Sequence, residues 1–162
     1  LAFGISFLQF PIFPAAPFLQ LDFSFAIILI AAYLLGALSG EIIVVLFTLL
    51  KLPISGSAMV GELANFIMAQ FFIVIPAVIY HFRRRFSTVV FSLSSATLVI
   101  SAIALLTNRY MLFPLYMGEG AAATFGKVWW MIVLFNIIKG VSNSVITILL
   151  YKRLRNLLNK FL

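Results

Sequence analysis

Polar residues are sparse along this chain, and where they gather they divide it into apolar runs of helical length. Residues 1–10, 23–35, 39–52, 61–82, 87–107 and 127–151 are each almost continuously apolar. The longer runs match the roughly 20 residues a helix needs to cross a hydrocarbon core. The pattern predicts six helices, the first of them reading as truncated because the chain starts inside it. After it, Pro11, Pro14 and Pro17 follow one another too closely for a regular helix interior. That stretch is nevertheless apolar, so it predicts a loop folded back over the bundle, where protein rather than lipid covers its backbone. Residues 53–57 predict a second break. Residues 108–126, with Pro114, Gly118 and Gly120, predict a third. Asp22 and Ser24 are placed to cap the second helix, and Pro76 predicts a kink in the fourth.

Composition changes the solvent. Of 162 residues, 64% are hydrophobic and 9% charged, where a soluble domain carries roughly a quarter charged. The expectation is therefore an all-α integral membrane protein, one six-helix domain over residues 1–162. The net charge of +7 does not point to nucleic acid. Arg83, Arg84, Arg85, Lys152 and Arg153 flank hydrophobic runs, as residues on the cytoplasmic side do. Two helices lie between the two basic blocks and four precede the first. Parity then places both termini in the cytoplasm and the three long connections, 11–22, 53–60 and 108–126, outside. Long loops gathered on one face suit a protein that captures something.

The chain has no Cys and a single His, His81, so neither thiol chemistry nor a zinc site is expected. It has no phosphate-binding glycine loop, paired-carboxylate centre, nucleophile elbow or metal-ligand cluster. The reading is a non-enzyme without a cofactor.

Chemistry is carried by the few polar groups inside the apolar runs. Lys139 lies about twelve residues beyond Lys127, roughly 18 Å along a helix, near the middle of the bilayer. Asn136 and Asn143 share its helical face, and Gly140 permits close approach. Asn108 ends the fifth helix, and Asn65 lies one turn into the fourth. A charge at that depth needs a reason. A ligand carbonyl or hydroxyl would satisfy Lys139; a structural polar network is the other reading. Glu62 suits the dipole at the start of the fourth helix. Arg109 and Glu119 read as a loop ion pair. Lys127, Trp129 and Trp130 read as interfacial anchors, and Glu41 as meeting a partner or an inner basic group. Amides, a deep lysine, prolines and aromatics suit a flat, neutral, hydrogen-bonding ligand with an apolar body.

Four stretches carry a resemblance. They are Phe10-Pro11-Ile12 with Pro17-Phe18-Leu19-Gln20-Leu21-Asp22-Phe23-Ser24, then Gly61-Glu62-Leu63-Ala64-Asn65-Phe66. Asn108-Arg109-Tyr110 with Pro114-Leu115-Tyr116, and Phe135-Asn136-Ile137-Ile138-Lys139-Gly140, complete the set. In this order they resemble the riboflavin-specific S components (RibU type) of energy-coupling-factor transporters. The chain departs from that pattern at Phe25, at Leu134, and near Phe47, where a usual lysine is absent. The resemblance implies a membrane protein of a prokaryotic cell that captures riboflavin from outside. Transport would need a transmembrane coupling subunit and two ATPase subunits. It implies that Asn108, Asn136 and Lys139 hydrogen-bond the flavin and that Phe18, Leu19, Gln20 and Leu21 close over it. Asn65 would line the pocket. The family's coupling surface uses small residues in the first helix, and Ala2 and Ser6 have that spacing. The alternatives are a stand-alone secondary transporter or an S component for another vitamin.

Overall fold

The computed structural model describes residues 1–54 and 60–161, with side chains described as far as Arg153. Residues 55–59 of the second predicted break, and the side chains of the basic tail from residue 154, lie outside the described residues. The helices are α1 (Ala2–Ile5), α2 (Ser24–Leu35), α3 (Ala37–Lys51), α4 (Val60–Ala69), α5 (Ile75–Phe82), α6 (Phe86–Thr107), α7 (Phe113–Met117) and α8 (Ala121–Phe161). Wide π turns, Gln70–Val74 and Asn108–Leu112, join α4 to α5 and α6 to α7. Among the described residues these make five long helical bodies, not six. The first predicted helix contracts to the single turn of α1.

The proline-rich segment is not helical. Phe10–Pro11 (β1) pairs antiparallel with Gln20–Leu21 (β2), Phe10 opposite Leu21, so the expected all-α chain carries one small hairpin. Its backbone finds partners within itself and against protein, which the bilayer requires. Phe13 meets the Trp130 ring edge-on at 6.3 Å, and Phe18 meets Phe113 at 6.0 Å. The loop thus rests on α8 and α7, and Ala16 is fully buried beneath it.

Both π turns stand just before a proline. Pro76 and Pro114 lack an N–H, and their rings crowd the carbonyls of Phe72 and Tyr110, four residues earlier. Widening the turn at those residues removes the conflict without ending the helix. Pro76 therefore brings a widened turn where a kink is expected. Residues 108–117 stay helical where a loop is expected. The chain reverses only at Gly118, whose φ of 53° is costly for other residues, and a short 3₁₀ turn, Gly118–Gly120, leads into α8. The last predicted helix starts earlier than residue 127 because Ala121, Ala122 and Ala123 are strong helix formers.

Two close approaches fix the bundle. Gly36, at φ 96°, turns α2 into α3, and a Cβ on Gly40 would come within 2.5 Å of the Ala32 Cβ. A Cβ on Gly140 would meet Thr97 Cγ2 at 2.6 Å, so the backbone of α8 packs directly on the Thr97 side chain of α6. Phe72, Ile28, Leu29, Leu93, Ile100 and Ile132 fill the centre. The outside is as apolar as the inside: Leu38 is 76% exposed and Phe91 73%. That is the surface of a protein solvated by hydrocarbon rather than water. Val60–Phe82, 23 residues of continuous helix, is long enough to cross it.

Candidate functional site

Polar groups collect inside this apolar body. α8 presents three of them on one face, Asn136, Lys139 and Asn143, each more than 90% buried. Asn143 works for the fold. Its Oδ1 accepts the Ala26 N–H (2.9 Å), and its Nδ2 donates to the carbonyls of Asp22 and Lys139, each at 3.0 Å. It thereby satisfies a backbone donor in the first turn of α2 that the helix leaves without a partner. Asp22 completes that cap. Its Oδ1 accepts the Ser24 N–H at 2.9 Å and the Ser24 hydroxyl.

The second oxygen of Asp22 faces Lys139. Lys139 Nζ lies 3.0 Å from Asp22 Oδ2, 3.5 Å from Asn65 Oδ1 and 4.6 Å from the centre of the Phe25 ring. The deep ammonium is therefore balanced by a protein carboxylate, and two acceptors leave one of its three protons for a further partner. The sequence suggested only a capping role for Asp22. The signal was present: a buried cation in hydrocarbon requires an anion, and few carboxylates are available in a chain with four Asp and Glu in total. What the sequence could not give was the fold that brings residues 22 and 139 together.

Above this pair opens a cavity of about 780 Å³, within the size range of small-molecule sites. Phe18, Leu19 and Gln20 from the first loop, Asn65 from α4, Asn108 after α6, and Asn136 and Lys139 from α8 all reach its wall. Leu21 does not; its side chain is buried in the core. Met68, Phe113 and Phe135 add apolar walls that sequence reasoning did not single out. Ser6, expected on a partner-facing stripe with Ala2, is 1% exposed, lines the cavity, and donates its hydroxyl to the Phe3 carbonyl. In this arrangement it is not open to a partner, and Ala2 is half-buried against the core.

The two asparagines are held alike. Asn108 Nδ2 donates to the Ala104 carbonyl and Asn136 Nδ2 to the Ile132 carbonyl, each at 2.8 Å. Each bond fixes which amide atom is nitrogen, since two oxygens would repel at that distance. Asn108 Oδ1 is then left buried without a hydrogen-bond partner. An orphan acceptor of this kind is costly and marks a place where a donor belongs. Arg109 lies over the rings of Tyr110 and Phe125. Among the described residues it forms no ion pair with Glu119. Glu41 Oε1 accepts a hydrogen bond from Gln70 Nε2 at 3.2 Å, and among the described residues it meets no basic group. Among the described residues no cluster could hold a metal ion.

A family model for the substrate-specific component of ECF transporters matches residues 1–151. This chain belongs to that family. The S component reported as "Structure and mechanism of the S component of a bacterial ECF transporter" superposes with a TM-score of 0.83 at 35% identity, covering 97% of this chain and 90% of that one. The riboflavin transporter RibU of Staphylococcus aureus (strain TCH60) is 33% identical over 165 residues, 99% of this chain and 87% of its own length. The riboflavin transporter FmnP of Bacillus subtilis (strain 168) is 29% identical over 167 residues, 96% of this chain and 86% of its own. As an S component, the chain is a membrane-embedded transport protein, not an enzyme. The cavity has the wall chemistry such a component needs, apolar faces with a few fixed polar groups.

Proposed function

We propose that this S component captures riboflavin from the extracellular side. The observation that carries the reading is the pairing, in one apolar cavity, of an orphan carbonyl acceptor, Asn108 Oδ1, with a fixed ammonium donor, Lys139. The pyrimidine edge of an isoalloxazine alternates carbonyl, ring N–H and carbonyl. The N–H suits the asparagine oxygen and a carbonyl suits the lysine, whose three protons are not all taken by Asp22 and Asn65. Met68, Phe113 and Phe135 offer apolar and aromatic surface to a flat ring. Phe18, Leu19 and Gln20 stand where they would cover it.

The remaining expectations belong to the same reading. The protein sits in the prokaryotic cell membrane, with the Arg83–Arg85 block and the C-terminal tail on the cytoplasmic side. It works with a transmembrane coupling subunit and two ATPase subunits. Riboflavin is cargo, not a cofactor.

The test is a titration of purified protein with riboflavin, followed by quenching of flavin fluorescence. Tight saturable binding is expected. Lys139→Ala should weaken it by about 1–3 kcal/mol, the worth of a buried hydrogen bond to a charged group. A folded sample that binds no flavin overturns the substrate; full affinity in Lys139→Ala removes the lysine from the site.

A further inference from the structure

A second charged pair stands in the same cavity wall. Lys51, the last residue of α3, places Nζ 3.8 Å from Glu62 Oε1 in the first turn of α4. Both residues line the cavity, and Glu62 is only 6% exposed. Helix-end electrostatics accounts for a lysine ending α3 and a glutamate starting α4. It does not account for a carboxylate so largely desolvated in a cavity wall. At 3.8 Å the pair is longer than a hydrogen bond. Among the described residues the other polar contact of Lys51 is a 3.3 Å donation to Gln9 Oε1. Among the described residues both groups therefore keep hydrogen-bonding capacity toward the cavity, the Glu62 carboxylate being met by the one long contact to Lys51.

Position gives the pair its meaning. Glu62 lies three residues before Asn65 on the same face of α4, and Asn65 reaches Lys139. The two charged pairs are thus about one helical turn apart, roughly 4.5 Å of rise, at two levels of one cavity. A ligand engaging Lys139 with one end meets Lys51 and Glu62 with whatever arm extends from its ring.

We infer that Lys51 and Glu62 form a polyol-reading subsite that selects flavins carrying a hydroxylated side chain. This rests on the flavin reading above. Hydroxyl groups donate and accept at once, so adjacent hydroxyls give a proton to the carboxylate and a lone pair to the ammonium. A neutral apolar substituent would leave both charges unsatisfied. A negatively charged arm would gain the lysine but meet the glutamate.

The experiment compares riboflavin with lumiflavin, which has the same ring and a methyl group in place of the ribityl chain. Both are titrated against the full chain in detergent, as wild type, Lys51→Met and Glu62→Gln. Wild type is expected to prefer riboflavin by about tenfold or more, as charge-assisted hydrogen bonds allow. Each variant should lose most of that preference while holding lumiflavin within about twofold of wild type. Equal weakening of both flavins, or an unchanged preference, overturns the subsite. It leaves the flavin reading standing. Failure of folded wild type to bind either flavin overturns the flavin reading and this one with it. Lys51 is the more exposed partner, so Lys51→Met keeps the test decisive if Glu62→Gln does not fold.

Discussion

At the scale of single residues, the Asp22–Lys139 pair organises the site. Removing one partner of a buried ion pair leaves an uncompensated charge, which costs about 3–5 kcal/mol. Asp22→Ala should therefore destabilise the protein by that order, measured by thermal unfolding in detergent. The double variant Asp22→Ala with Lys139→Met should recover much of the loss, because no charge is then stranded. If the double variant is no more stable than Asp22→Ala, the cap on Ser24, and not the charge balance, is what Asp22 contributes. Lys139 was legible as a site residue because a lysine so deep in an apolar run has few explanations. Its partner was not, since the two residues lie on opposite sides of the sequence and only packing joins them. Asn143 illustrates the converse. It shares the face of Lys139, yet its amide ties α8 to the start of α2 through Ala26 and Asp22 and otherwise bonds back to the Lys139 carbonyl of its own helix.

At the scale of elements, the α6–α8 contact sets where the polar face of α8 stands. Gly140 is next to Lys139 and touches Thr97. A Gly140→Val side chain has no room there. It should cost about 1–3 kcal/mol, as overpacking does, and weaken ligand binding by displacing Lys139. Thr97→Ala in the same protein should return part of both losses, read by unfolding and by flavin titration. The helical runs in the centre of the chain were legible from their apolar length. The stretch 108–117 was not, because proline and a following glycine ordinarily signal a loop. In hydrocarbon an ended helix strands its carbonyls, so widening the turn ahead of Pro114 is the less costly solution. That π turn also begins at Asn108, which leaves a cavity-lining residue on altered helical register.

At the scale of the whole molecule, an apolar exterior encloses a mainly apolar cavity with a few fixed polar groups, and the family assigns such a body to substrate recognition in transport. The expectation for this chain alone, reconstituted in vesicles, is riboflavin binding without sustained accumulation; concentrative uptake by the isolated chain would favour a secondary transporter instead. The chain has no native Cys, so single cysteines at Gly118 and at Arg84 can report topology. Gly118→Cys should label from outside and Arg84→Cys only after permeabilisation. What the sequence by itself determined was the solvent, the helical character and the small set of polar groups that burial makes meaningful. These follow from local composition and spacing, because apolar length and isolated charge carry their meaning without knowledge of neighbours. Only the tertiary structure decided that Asp22 meets Lys139, that Ser6 faces inward, and that Lys51 and Glu62 share the cavity with Asn65. Those facts depend on which distant segments pack together, and the backbone satisfies its hydrogen bonds and glycines set helix distances only in three dimensions.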